Sequence, residues 1–347
     1  MNNLITGKWN LSDLQKVTKI NKSVFSCFHC GGGSTMGYKL SGYDVLGGVE
    51  IDPEMMEIYK LNHKPKYSYL MGVQQFKNLA NESLPKELFN LDILDGSPPC
   101  SSFSMAGSRE DAWGEEKKFR EGQANQVLDN LFFDYIEIAK KLKPKVVVAE
   151  NVKGLIIGKA KGYVKDIFKA FNNVGYDTQL FLLNAAFMGV PQKRERTFFI
   201  ARRKDLNLPL IKMEFNEKPI SIKEAIIDII DEKGKDCTSS INYKYFKMCK
   251  PGDAFSKYHP KGSLFNWKRL NFNEPCPTIT SSFQGGSYRP EDMICLSDNQ
   301  IKRLQSFPED YQFNKQNVGY FCGMSVPPLM MQRVADQIYK QWLSKIS

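Results

Sequence analysis

The sequence predicts an α/β fold: a mostly parallel sheet with helices on both faces, and after it a smaller, irregular domain. Three observations predict it. Short apolar runs with strand character alternate with longer amphipathic stretches, the pattern of βα units. A glycine-rich turn follows the first of those runs. From about Asp205 the alternation stops, and Pro209, Pro219, Pro251, Pro260, Pro275 and Pro277 break the chain.

Ser23-Val24-Phe25-Ser26-Cys27-Phe28 reads as the first strand. His29-Cys30-Gly31-Gly32-Gly33 follows, then a helix-like Tyr38-Lys39-Leu40. Glycines between a strand and a helix let a ligand approach the backbone closely. The second strand, 44–49, runs into Glu50-Ile51-Asp52; an acid at that place commonly binds ribose hydroxyls. Further strands are expected near 91–95, 145–149, 178–183 and 196–202, and helices near 53–62, 125–143 and 161–174.

Chemistry-bearing residues sit at the ends of these strands. Gly96-Ser97-Pro98-Pro99-Cys100 follows an apolar run. Two prolines fix φ and remove backbone donors, so the turn holds one shape. A cysteine there is a poor core residue and a good nucleophile. The polar, glycine-dotted Ser101 to Gly122 reads as a mobile loop carrying it. Glu150 follows Val146-Val147-Val148-Ala149, at the strand end where open α/β sheets place ligands; a helix cap or a satisfied ion pair fits that acid equally. Gln192, Arg194 and Arg196 alternate, and strand spacing would put all three on one face, opposite Lys193 and Glu195. That face reads either as a solvated edge or as a preorganised cationic patch.

Pro98-Pro99-Cys100, Glu150-Asn151-Val152 and Gln192-Lys193-Arg194-Glu195-Arg196, in this order, resemble three signature motifs of the DNA cytosine-5 methyltransferase family. The resemblance runs from about Ser23 to Ile338, with no motif between roughly Asp205 and Lys268. It implies the Rossmann-like sheet of S-adenosylmethionine-dependent methyltransferases and methyl transfer to C5 of cytosine in a specific DNA sequence. It implies Cys100 as the nucleophile that adds to C6 and makes C5 enamine-like. Glu150 would meet the N3 side and the amino group, sharing a proton with N3. Arg196 would hold O2 and orient Glu150, with Arg194 in support. C6 is out of reach in a stacked duplex, so the cytosine must be flipped.

The resemblance also implies cofactor contacts from Phe28, Cys30, Gly31, Gly32, Gly33, Glu50 at the ribose, Ile51 at the adenine, Pro99, Leu131, Ser325 and Val326. Substrate contacts would come from Ser101, Ser104, Asn151, Gln192, Arg269 and Thr278. Four departures stand out. Cys30 occupies a place where the family usually has glycine, and positive φ would be strained there. Leu70-Met71-Gly72-Val73 offers no carboxylate to the adenine amino group. Met324 replaces the usual Asn, and Ser101 the usual Gln.

Composition agrees. The chain has 347 residues, with 48 basic and 38 acidic side chains, a formal charge of +10 and a pI near 9.0. That balance favours a polyanionic partner, expected to be double-stranded DNA, with a cognate restriction endonuclease as functional partner. No apolar run reaches the roughly 20 residues of a membrane span, and Met1 to Lys22 lacks a signal-peptide core. Eight cysteines then read as reduced thiols in a cytoplasm. Cys27-Phe28-His29-Cys30 has no second cysteine pair at ligand spacing, so no metal is expected. The expected organisation is an N-terminal extension over 1–22, a catalytic and cofactor-binding domain over 23–204, a target-recognition domain over 205–311 and a returning C-terminal segment over 312–347, in a monomer. In the small domain, lysines and aromatics interleave in 243–247 and 265–269; they suit phosphates and bases or a local aromatic core. A tRNA cytosine-5 methyltransferase is the alternative activity, and an inactive nucleic-acid-binding regulator a third reading; intact Cys100, Glu150 and Arg196 argue against the last.

Overall fold

Apolar, β-branched runs build the sheet. The computed structural model describes residues 8–99, 116–117, 126–127, 130–157 and 161–346. In chain order the first half contains β1 (Ser23–Cys27), α1 (Gly33–Leu40), β2 (Asp44–Glu50), α2 (Pro53–His63), β3 (Tyr67–Leu70), α3 (Val73–Asn78), β4 (Ile93–Gly96), the short β5 (Glu116–Lys117) and β6 (Gln126–Val127), α4 (Leu131–Leu142), β7 (Val146–Val152), α5 (Lys161–Asn173), β8 (Tyr176–Asn184), β9 (Gln192–Lys193) and β10 (Glu195–Arg203). Seven strands form one sheet in the order β3-β2-β1-β4-β7-β10-β8. From β3 to β7 the pairings are parallel, and β10 runs antiparallel to β7. Val146, Val147, Val148 and Ala149 are fully buried, as a strand covered on both faces requires.

Local chemistry sets the boundaries. In α4, Leu131, Phe132, Tyr135, Ile136, Ile138, Ala139 and Leu142 are buried, an apolar stripe at helical spacing. Phe132 meets Tyr135, Tyr163, Phe171 and Phe199 edge-to-face, each contact contributing on the order of 1 kcal/mol. The Tyr135 hydroxyl reaches the carbonyls of Leu94 (2.9 Å) and Val148 (2.8 Å), tying the helix to β4 and β7. The helix expected from 125 instead starts at Leu131; Gln126–Val127 pairs with Glu116–Lys117. In the sheet half the full length of α1, β3 and α3 also escape the pattern reading. Gly47 explains why β3 can pair where it does. Its φ is 140°, and a Cβ there would lie 1.7 Å from the Tyr67 carbonyl oxygen.

Two compact units emerge. The sheet belongs to the unit formed by 17–183, 195–214 and 334–347. In it Tyr43 donates to the Ala335 carbonyl (3.0 Å) and Trp342 to that of Pro209 (2.9 Å). The second unit comprises 1–16, 184–194 and 215–333. It holds α6 (Ile222–Ala225), α7 (Tyr243–Met248), the two-residue strands β11 (Lys268–Arg269), β12 (Cys276–Pro277) and β13 (Ser287–Tyr288), α8 (Asp298–Leu304), α9 (Val318–Met324) and the start of α10 (Pro328–Gln341). β12 pairs with β9, and β11 with β13. Trp9, from the polar N-terminal stretch, is buried in this unit and donates to the Ser306 carbonyl (3.0 Å). No helix among the described residues is long and apolar enough to cross a membrane.

Candidate active site

Strand register brings Glu150 and Arg196 together. Glu150 lies opposite Phe198 in the β7–β10 ladder, so Arg196 is its diagonal neighbour on the same face, within reach of a long side chain. Arg196 Nε sits 3.0 Å from the Glu150 carboxylate, and both side chains are almost wholly buried. Burial pulls the guanidinium below its ordinary pKa, against the charge of Glu150, which raises it. Arg196 also donates to the Glu195 carbonyl (2.8 Å), which holds it across the pair.

Asn151 turns to the opposite face. Its Nδ2 donates to the Pro98 carbonyl (2.9 Å), and its Oδ1 accepts from Val152 N (2.8 Å). Asn151 thereby anchors the double-proline turn. Pro98 is buried and Pro99 half-buried. Cys100, Ser101 and Ser104, with the expected loop to Gly122 apart from Glu116–Lys117, lie outside the described residues.

The candidate cofactor cradle lies at the ends of β1 and β2. Phe28 (φ 55°), Cys30 (φ 48°) and Gly32 (φ 90°) are left-handed and reverse the chain from β1 into α1. The strained conformation expected at Cys30 is therefore present, at a cost of roughly 1–2 kcal/mol for a residue with a Cβ. Burial, with Glu50, Glu150 and Asp52, pushes the Cys30 thiol well above its ordinary value, so it stays protonated and is a poor nucleophile. The Glu50 Oε2 accepts from Cys30 N (3.0 Å), and Oε1 accepts from Ile51 N (2.9 Å) and Asp52 N (3.0 Å). A carboxylate offers about four lone-pair sites, so one site on Oε2 stays open to a hydroxyl. Asp52 caps α2 by accepting from Glu54 N and Met55 N. His29 donates Nδ1–H to the Cys30 carbonyl (2.9 Å) and stacks on Tyr59 at 3.7 Å; burial holds its pKa down at about 4, so the ring is neutral.

Asp95 is a site residue that pattern reading missed. It is buried and accepts from the hydroxyls of Ser26 (2.7 Å), Ser34 (2.9 Å) and Tyr38 (3.2 Å). One carboxyl thus ties β1 and α1 to the strand end that becomes the double-proline turn. Burial pushes it up to about 6. The signal was present: Leu91-Asp92-Ile93-Leu94-Asp95 carries acids at both ends of an apolar core, and one that is buried needs several donors. Both Asp95 and Cys30 feel the charge of Glu150, so cradle and ion pair share one electrostatic neighbourhood.

The other expected contacts have different destinations. Gln192 and Arg194 do share a buried side, with Lys193 exposed between them, but Arg196 serves another group. Gln192 is fully buried; its Oε1 accepts from Ile279 N (3.0 Å) and its amide donates to Gln305. Arg194 donates to the carbonyls of Ile279 (2.8 Å), Gly323 (3.0 Å) and Ser325 (3.0 Å). These two side chains knit the second unit through those bonds. The local reason is backbone geometry: the chain is strand only at 192–193 before β10 begins at Glu195. Thr278 donates to the Lys193 carbonyl (2.7 Å). Arg269, also expected at the substrate, donates to the carbonyls of Pro290 and Cys249 and lies over the Phe246 ring at 4.7 Å; it braces the second unit. Ser325 and Val326 are buried there, and Leu131 is the fully buried first residue of α4. Beside Ile51, the start of α3 carries amides where the departure leaves no carboxylate: Gln75 Oε1 accepts from Gly72 N (3.2 Å).

Glu50 gives a pH prediction. Burial pushes its carboxyl from 4.5 up to about 7, despite three N–H donors that favour the ionised form. Between those values the folded chain holds a proton that the unfolded chain has lost, so Glu50 costs stability as pH rises through that window. The ionised form is the one that can accept a further hydroxyl. KM for S-adenosylmethionine is therefore expected to fall as pH rises through about 7, and Glu50→Gln to lose that dependence while KM for the nucleic acid stays put. A flat wild-type profile would remove Glu50 from the cofactor site.

The chain is similar to known proteins in sequence and in fold. A sequence profile of the C-5 cytosine-specific DNA methylases matches residues 23–340. The type II methyltransferase M.FnuDI of Fusobacterium nucleatum is 29% identical, over 91% of this chain and 93% of its own length. M.NgoPII of Neisseria gonorrhoeae is 28% identical, over 91% and 95%. Among solved structures, a prophage-encoded Escherichia coli protein described as a DNA modification methyltransferase superposes with a TM-score of 0.71, at 21% identity, over 92% of this chain and 99% of its own. That structure shares the fold, and the profile match spans the sheet, the Glu150–Arg196 pair and the second unit together: this chain belongs to the C-5 cytosine-specific DNA methylase family.

Proposed function

We propose that this chain methylates C5 of cytosine within one sequence of duplex DNA, with Cys100 as nucleophile and Glu150 and Arg196 as the groups that hold the base. The observation that carries the assignment of roles is the Glu150–Arg196 pair at 3.0 Å, set on the strand that also anchors the Pro98 carbonyl through Asn151. S-adenosylmethionine, when bound, supplies an electrophilic methyl group; the left-handed turn at 28–32 and the open lone pair of Glu50 suit its ribose. Cys100 Sγ bonds to C6, and the electron pair of the C5–C6 double bond moves to C5, which becomes nucleophilic. Glu150 meets N3 and the exocyclic amine as negative charge develops, and Arg196 fixes the carboxylate and O2. Once C5 is methylated, a base takes the C5 proton, the double bond re-forms and the thiolate leaves.

The small number of unstacked bases involved makes flipping affordable, at about a few kcal/mol. The relatives' class name, type II methyltransferase, supports a protective role in a cytoplasm, beside an endonuclease that cuts the same sequence. The test is methyl transfer from labelled S-adenosylmethionine to mixed-sequence duplex DNA and, separately, to tRNA. Label at cytosine C5 of DNA is the expected result; label confined to tRNA would replace this reading with the RNA activity.

A further inference from the structure

In the second unit, the turn from Pro260 to Trp267 sends neighbouring apolar residues in opposite directions. Leu264 packs against the aromatic cluster that contains Tyr245 and Phe255, with its backbone at φ 67°, a region a bulky L residue enters only when its surroundings hold it there. Phe265, the next residue, is 55% exposed. The turn is fixed rather than loose. His259 Nδ1 accepts from Lys261 N and Ser263 N, both at 3.3 Å, and Trp267 N donates to the Leu264 carbonyl at 3.0 Å. At its base, His259 packs on the Tyr245 ring at 5.1 Å.

The surroundings are basic. Lys261 is exposed and has no carboxylate partner among the described residues. On α7, Lys244 lies over the Tyr245 ring at 5.0 Å, next to the same His259. A phenyl ring presented to water by a fixed turn gains nothing from solvent. Thymine methyls and the base faces uncovered beside a flipped cytosine offer it apolar surface, and phosphates offer the lysines their counter-charge. The other aromatics of this region are spent internally: Trp267 packs with Phe255 and Tyr288.

We infer that the Pro260–Phe265 turn touches the substrate duplex, with Phe265 packed against bases and Lys261 against a phosphate. This rests on the DNA-methylating activity above. The full chain is first used to methylate mixed-sequence DNA, and the modified site is located by bisulfite sequencing. Binding of a fluorescein-labelled duplex carrying that site is then followed by anisotropy with S-adenosylhomocysteine present. Phe265→Ala is expected to raise Kd about tenfold, the loss of one aromatic–base contact, with the slope of log Kd against log salt unchanged and Phe265→Tyr restoring affinity. Lys261→Ala is expected to lower that slope by about one. Because Phe265 is exposed, both variants should melt as the wild type does. Wild-type affinity in Phe265→Ala, beside intact wild-type methylation, overturns the inference alone. A wild type that methylates no duplex overturns the DNA reading and the inference with it.

Discussion

Cys100→Ala is expected to reduce methyl transfer by at least about 10⁴-fold, because the proposed nucleophile is removed. Cytosine C5 gains enamine character only through the bond from sulfur to C6; without it the methyl acceptor is an ordinary aromatic carbon. Nothing in the cradle can substitute, since the Cys30 thiol is held protonated by burial and three neighbouring acids. Cofactor binding, read by calorimetry with S-adenosylhomocysteine, should survive, as Glu50 and the turn at 28–32 are untouched. A duplex with 5-fluorocytosine at the target gives a second readout. The wild type should stay covalently attached to it, because no C5 proton can leave, and the variant should not. Turnover at the wild-type rate by Cys100→Ala would sink the mechanism.

Arg196→Ala should act on both stability and rate. The side chains of Glu150 and Arg196 are 11% and 13% exposed, so removing the guanidinium leaves a buried carboxylate without its cation. Breaking such a pair costs about 3 kcal/mol, visible as a lower melting temperature. The rate should fall by about 10²–10³-fold, the typical effect of removing one preorganised electrostatic partner of a developing charge. The control is the double variant Arg196→Ala with Glu150→Gln. A neutral amide needs no buried cation, so much of the lost stability should return while activity stays low. If the double variant is no more stable than Arg196→Ala, the ion pair is not what the arginine contributes to folding.

Strand existence was legible in β1, β2, β7 and β10 because each has a short buried stretch dominated by apolar and small residues, such as Val146-Val147-Val148-Ala149 in β7 and Phe198-Phe199-Ile200-Ala201 in β10. β3 and α3 were not. Tyr67–Leu70 carries half-buried and exposed residues on an edge, and α3 is only Val73–Asn78, too short for a helical period to register. The start of α4 was misplaced because amphipathic spacing continues upstream of Asn130, into Gln126–Val127, which pairs with Glu116–Lys117 as strand.

The order of motifs along the chain by itself determined the family, the strand ends that bear Glu150 and the Pro98-Pro99-Cys100 turn, and the pairing of acid with arginine as a chemical need. The resemblance already named Arg196 as the arginine that orients Glu150; only tertiary structure decided what its neighbours Gln192 and Arg194 bind. Gln192, Arg194 and Arg196 look equivalent in a strand-period reading, yet two of them cross-link the second unit through Ile279, Gln305, Gly323 and Ser325, and one reaches Glu150. Likewise the carbonyl partners of Arg269 and Asn151 became readable only from the fold. Periodicity reports which side of the chain a residue occupies. Its hydrogen-bond partners are set by which distant backbone groups lie unpaired beside it, and those are brought there only by the fold.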